Sequence, residues 1–110
     1  MPIENWSDDV LLVKLADDPH FAEELEAVAE MVARKPARVV IDLSAIKFIN
    51  SSQIGKLLKL RQSMLSAGSR LILCGADSQV WGSFLVMGLD KVFEFTDAVP
   101  TALAALQLPE

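Results

Sequence analysis

Three short apolar runs, rich in branched residues and separated by longer amphipathic stretches, set the strongest constraint on this chain. They are Val10 to Leu15 (VLLVKL), Arg38 to Leu43 (RVVIDL) and Leu71 to Cys74 (LILC). Runs this short and this continuous read as strands covered on both faces, as in a parallel sheet packed under helices. Between the first two, Phe21, Leu25, Val28 and Val32 recur at helical spacing, with Glu23, Glu24, Glu26 and Glu30 mostly elsewhere around the wheel. Asp18 reads as the N-cap and Pro19 as the first helical residue. Pro36 stops the helix after Arg34 and Lys35, which suit its negative C-terminal end.

A second helix is expected from about Ser52 to Ala67, ending at Gly68, and a third from Asp77 through Met87, closed by Gly88. Val92 to Phe95 reads as a short strand. A last helix follows from about Ala98 to Leu106, capped by Thr96 or Asp97. Met1 to Trp6 is a weak candidate for an additional edge strand. The alternation predicts one α/β domain over residues 1–110, with a four- to five-stranded, mostly parallel (mixed) sheet flanked by four helices. A chain of 110 residues is long enough for one real core.

Composition narrows the chemistry. One cysteine, Cys74, excludes an internal disulfide framework and a thiolate-rich zinc site, and one histidine, His20, excludes a histidine metal cluster. No tyrosine is present, and no glycine-rich phosphate loop, nucleophile elbow or paired-carboxylate signature appears. The expectation is a protein that is not an enzyme, with no cofactor and no metal. The Asp8-Asp9 and Asp17-Asp18 pairs read as solvated turns, and Cys74 as a buried, inert thiol. No apolar run approaches the length of a membrane span, and the acidic start lacks the features of a signal peptide, so a cytoplasmic location without membrane insertion is expected.

The net charge of −5 argues against nucleic acid as a partner. Its distribution is uneven: residues 1–30 carry −8, residues 31–75 carry +7 and residues 76–110 carry −4. The middle third is a basic segment in an acidic chain.

Val39 to Leu60 (VVIDLSAIKFINSSQIGKLLKL) resembles the STAS family, the sulfate transporter and anti-sigma factor antagonist domain. In that pattern a strand ends in Asp-Leu-Ser, here Asp42-Leu43-Ser44, and Asp-Ser-Ser/Thr-Gly-Leu-Gly opens a helix, here Asn50-Ser51-Ser52-Gln53-Ile54-Gly55. Ala67 to Leu73 and Met87 to Phe93 resemble later segments of the same pattern. The resemblance implies an anti-sigma factor antagonist that binds an anti-sigma factor/serine kinase and is released when Ser52 is phosphorylated. Asn50 stands where the family has Asp, which removes a charge but keeps a helix cap. Gln53 stands where the family has Gly, which places a long side chain where a partner backbone approaches.

Candidate partner-binding residues are therefore Asn50, Ser51, Ser52, Gln53, Lys56 and Lys59, with the loop from Ser44 to Phe48. Ser52, Lys56 and Lys59 fall on one helical stripe, with Lys56 in reach of a phosphate on Ser52, and the expected partner surface is acidic. Against this stands plain N-capping and a solvated helix face. Arg61 falls within the apolar arc of Ile54, Leu57, Leu58 and Leu65 and needs either a carboxylate or a route to solvent. Trp81 and Leu85, one turn apart, form either an exposed apolar patch for a homodimer or hydrophobic partner, or a wider core contact with Trp6 or the last helix. Two rival readings stand beside the switch. One is a non-phosphorylated STAS subunit of a lipid-transport ABC ATPase or another signalling complex. The other is a small enzyme or ligand-binding module using Asp42, Ser51 and Ser52 at the carboxyl ends of the strands.

Overall fold

The computed structural model describes residues 3–107. Its elements are β1 (Ile3–Ser7), β2 (Val10–Lys14), α1 (His20–Arg34), β3 (Arg38–Asp42), α2 (Ser51–Ser66), β4 (Leu71–Cys74), α3 (Ser78–Val86), β5 (Glu94–Thr96) and α4 (Val99–Ala105). The sheet runs in chain order, β1-β2-β3-β4-β5. β1 pairs antiparallel with β2, and all other pairings are parallel. The expected mixed sheet with four helices is the observed architecture. The weak N-terminal edge strand is present, with its first two residues outside the described range.

The apolar runs became strands because both of their faces are covered. Val13, Val39, Ile41 and Leu73 point into a large core with Phe21, Leu25, Val28 and Val32 of α1, Ile54, Leu57, Leu60 and Met64 of α2, and Val80 and Phe84 of α3. The alternate strand residues Val10, Val40, Ile72 and Cys74 meet Ala102 and Leu106 at α4, on the other face. α1, α2 and α3 thus share one side of the sheet, and the short α4 covers the other.

Several local expectations change. α1 starts at His20 with Pro19 as its cap residue, and no side chain caps it; Asp18 is turned to another partner. α4 is capped at Ala98 without a side-chain bond, so neither Thr96 nor Asp97 takes that role. β5 is shifted C-terminally, because Val92 and Phe93 are used in the turn bonded to Leu89. In α2 the buried residue is Met64, while Leu65 is half exposed. Asp77 caps α3 as expected, its side chain accepting from the Val80 N–H.

Arg61 solves its placement without a carboxylate: its Nε donates to the Val92 carbonyl at 2.9 Å. Two more bases of the +7 segment are also absorbed structurally. Arg38 bonds Asp9 and the Leu106 carbonyl, and Arg70 bonds Glu94 and the Ala105 carbonyl. The bases left exposed on α2 and in the loop before it are Lys47, Lys56 and Lys59, while Arg34 and Lys35 are exposed at the far end of α1. The basic face is much smaller than the charge sum of residues 31–75 suggests.

Candidate functional site

Local sequence builds the start of α2. Asn50 adopts an extended backbone, and its side-chain oxygen accepts from the Gln53 N–H at 2.8 Å. Gln53 Oε1 accepts in return from the Asn50 N–H at 3.0 Å, completing a capping box. Among the described residues, the N–H groups of Ser51 and Ser52 have no intrachain acceptor. These two amides, with both hydroxyls exposed, present the positive end of the helix dipole to solvent.

Gln53 is the main correction to the sequence-based site. Its side chain is buried, 6 % exposed, and its Nε2 donates to Asp18 Oδ2 at 3.0 Å. It does not project toward a partner; it anchors the start of α2 to the β2–α1 loop. Lys56 lies as expected, its Nζ donating to Ser52 Oγ at 3.4 Å, both residues exposed. Lys59, one turn on along the same stripe, lines with Lys56 the groove between α1 and α2, opposite Glu26 and Glu30.

Ser51 faces the other way. With Ile49 and Ile54 it lines an open groove of about 420 Å³ against α3, whose wall is Gln79, Gly82, Ser83, Val86 and Met87. Val86 is 89 % exposed, Phe48 67 %, and Leu85 and Met87 46 % each. Exposed apolar side chains thus sit at the end of α3, where Val86 and Met87 line the groove, and at Phe48 in the loop before α2. Trp81 is half-buried and packs edge-on against Phe95, ring centres 4.9 Å apart, which is a core contact on β5. Leu85, one turn on, is exposed, so the two residues divide between the two readings the sequence left open. Val86 and Met87 carried no sequence signal, since an apolar helix end reads equally well as core.

Asp42 does not join the serines. Its Oδ1 accepts from the Ser44 N–H at 2.9 Å, and it lines a separate depression with Leu12, Lys14 and Ala45. Asp42 and Ser51 thus line different depressions of the surface. Burial pushes the Cys74 thiol up to about 12, with the Asp42 carboxylate adding to the effect. Glu24 is raised by burial, against the opposing pull of His20. Among the described residues no group of three or more His, Cys, Asp or Glu is placed to hold a metal, and no helix is long and apolar enough to cross a membrane.

A mixed sheet ordered β1 to β5 with helices on both faces has relatives. The STAS domain family matches residues 12–102. The chain belongs to the STAS domain family. Within it, this STAS domain is 30 % identical over 82 residues to the anti-sigma-F factor antagonist RsfB of Mycobacterium tuberculosis; the match covers 74 % of this chain and 66 % of that relative, just under two thirds of its length. Its fold matches the anti-sigma factor antagonist SpoIIAA in its unphosphorylated form, with a TM-score of 0.82 and 18 % identity over 98 % of this chain and 97 % of the other. It also matches the Bacillus cell fate determinant SpoIIAA in the phosphorylated form, with a TM-score of 0.73 and 19 % identity over 94 % and 96 %. The relative is thus named as an anti-sigma factor antagonist, and the STAS architecture expected from residues 39–60 holds across the chain.

Proposed function

We propose that this STAS domain is a non-catalytic, cytoplasmic docking module. In this reading it binds an anti-sigma factor/serine kinase through Asn50, Ser51, Ser52 and Lys56 together with the α2–α3 groove, and phosphorylation of Ser52 switches it off. The observation that carries the reading is the position of Ser52. Its hydroxyl is exposed at the second residue of α2, 3.4 Å from the Lys56 ammonium, one residue from the apolar groove that Ser51 lines. The relative's name and the existence of SpoIIAA in both phosphorylation states support the same reading.

The physics favours a switch at that atom. A phosphate on Ser52 adds about −1.5 to −2 charges at neutral pH. The free amides of the helix start and Lys56 stabilise that charge within the domain. A partner surface made for a neutral hydroxyl and the exposed Phe48, Val86 and Met87 would instead have to desolvate a dianion. Gln53 leaves this mechanism intact because its side chain is turned inward. Lys47 and Lys56 direct the partner choice toward an acidic surface.

The test is incubation with the serine kinase encoded nearest to this protein and ATP, followed by peptide mass spectrometry. Phosphate on Ser52, lost in Ser52→Ala, supports the switch; an unmodified Ser52 rejects it. Ser52→Asp should abolish binding to the unmodified partner, and unchanged affinity would reject the docking face. The exposed end of α3, from Leu85 to Met87, also fits a subunit of a lipid-transport ATPase, which co-purification with an ATPase subunit would establish.

A further inference from the structure

A second groove, of about 390 Å³, runs between α1 and α2. Glu26 and Glu30 form one wall, Lys56 and Lys59 the other. The floor is apolar, from Leu25 and Leu60, and Ala22 and Ala29 keep the α1 side low. Among the described residues the ion pairs are Arg38–Asp9 and Arg70–Glu94, so none of the four wall charges is in an ion pair, Lys56 bonding only the Ser52 hydroxyl.

The topology makes the two walls parallel. α1 connects β2 to β3 and α2 connects β3 to β4, in each case between parallel strands and over the same sheet face. The two helices therefore run in the same direction. Glu26 and Lys56 lie six and five residues beyond the first residues of their helices, and Glu30 and Lys59 ten and eight. Glu26 and Glu30 are four residues apart on α1, and Lys56 and Lys59 three apart on α2, so each pair forms a row of about 4.5–6 Å along the same groove.

We propose that this face is the interface of a homodimer whose two-fold axis runs along the groove. A half-turn about that axis lays the acidic row of one copy over the basic row of the other, twice. Glu26 meets the other copy's Lys56, and Glu30 meets its Lys59. A two-fold axis across the groove would set acid over acid, so the charge pattern selects one arrangement. An isologous interface requires such self-complementarity. A partner of one charge sign meets a like-charged wall wherever it lies, whereas a second copy satisfies both. The alanines let the helices approach closely enough for the charges to pair. The interface shares Lys56 with the docking face proposed above, so the test variants are placed at Glu30 and Lys59, which that face does not use.

The experiment is sedimentation equilibrium into the millimolar range at low and at physiological salt, on wild type, Glu30→Lys and Lys59→Glu. Wild type should dimerise, more tightly at low salt. Each single variant should raise the dimer dissociation constant about tenfold or more, because both of its symmetry-related pairs become repulsive. An equimolar mixture of the two variants should restore association as a heterodimer. In it the two reversed side chains, at positions 30 and 59, attract each other across one pair, and the native Lys59 and Glu30 attract across the other. That recovery also shows that both variants are folded. A monomeric wild type, a dimer indifferent to the single reversals, or a mixture that fails to associate would each overturn the proposal.

Discussion

The side-chain amide of Gln53 donates to the carboxylate of Asp18 at 3.0 Å, across a separation of 35 residues, while its oxygen closes the capping box with Asn50. One side chain thus fixes both the start of α2 and the loop that leads into α1. A polar residue at a position where the family pattern has glycine is held buried because both ends of its amide are satisfied.

Replacing Gln53 with Ala should destabilise the domain by about 1–2 kcal/mol, the combined effect of a lost cap bond and an orphaned carboxylate contact. Urea unfolding measures it. A double-mutant cycle with Asp18→Ala should return a coupling of about 0.5–1 kcal/mol. A coupling near zero would mean that the two residues stabilise the fold separately.

Gly75 and Gly82 should respond oppositely to alanine. At Gly75 the backbone has φ +73°, and a Cβ would lie 2.7 Å from Asp42 Oδ1. Gly75→Ala should therefore lose about 1–3 kcal/mol in thermal or urea unfolding. Gly82 lies inside α3, and an added Cβ meets nothing within 4 Å. Gly82→Ala should gain about 0.5–1 kcal/mol of stability, yet weaken partner docking if the groove it lines is the binding surface.

Val86 gives the cleanest separation of binding from folding. At 89 % exposed it contributes little to the core. Val86→Ser should change unfolding free energy by no more than about 0.5 kcal/mol. Affinity for the proposed anti-sigma factor partner, measured by calorimetry, should fall. A variant that binds normally would remove the α3 end from the docking surface.

Cys74 sets an alkaline limit. Its folded thiol is raised from 9.0 to about 12 by burial and by Asp42, so the native state favours the neutral form. Its contribution is complete below about pH 9, where the unfolded thiol is also protonated, and is lost as pH rises toward 12. Stability should fall between pH 9 and 10.5 by up to about 1.4 kcal/mol per pH unit. Cys74→Ala, compared over the same range in urea, should show a shallower slope. A thiol reagent at pH 8 should label wild type only after unfolding.

Legibility in the sequence followed physical range. The apolar runs of β2, β3 and β4, the Asn50 and Asp77 caps and the helix-ending glycines depend on residues within a turn or two of each other. They could be read directly. Ser52 and Lys56 share a helix stripe for the same local reason. Arg61 and Trp81 could not be resolved, because their partners, the Val92 carbonyl and the Phe95 ring, belong to a turn and strand brought close only by the finished sheet.

By itself, then, the sequence determined the order of elements, the mostly parallel sheet and the helix start that carries two serines, since hydrophobic periodicity and capping are local and strong. Tertiary structure decided what those serines face. It buried Gln53 against Asp18, absorbed Arg38, Arg61 and Arg70 into backbone and carboxylate contacts, and left Val86 and Met87 beside Ser51. Those outcomes depend on which distant groups offer a hydrogen bond or shelter from water, and only the packing of helices on the sheet sets that.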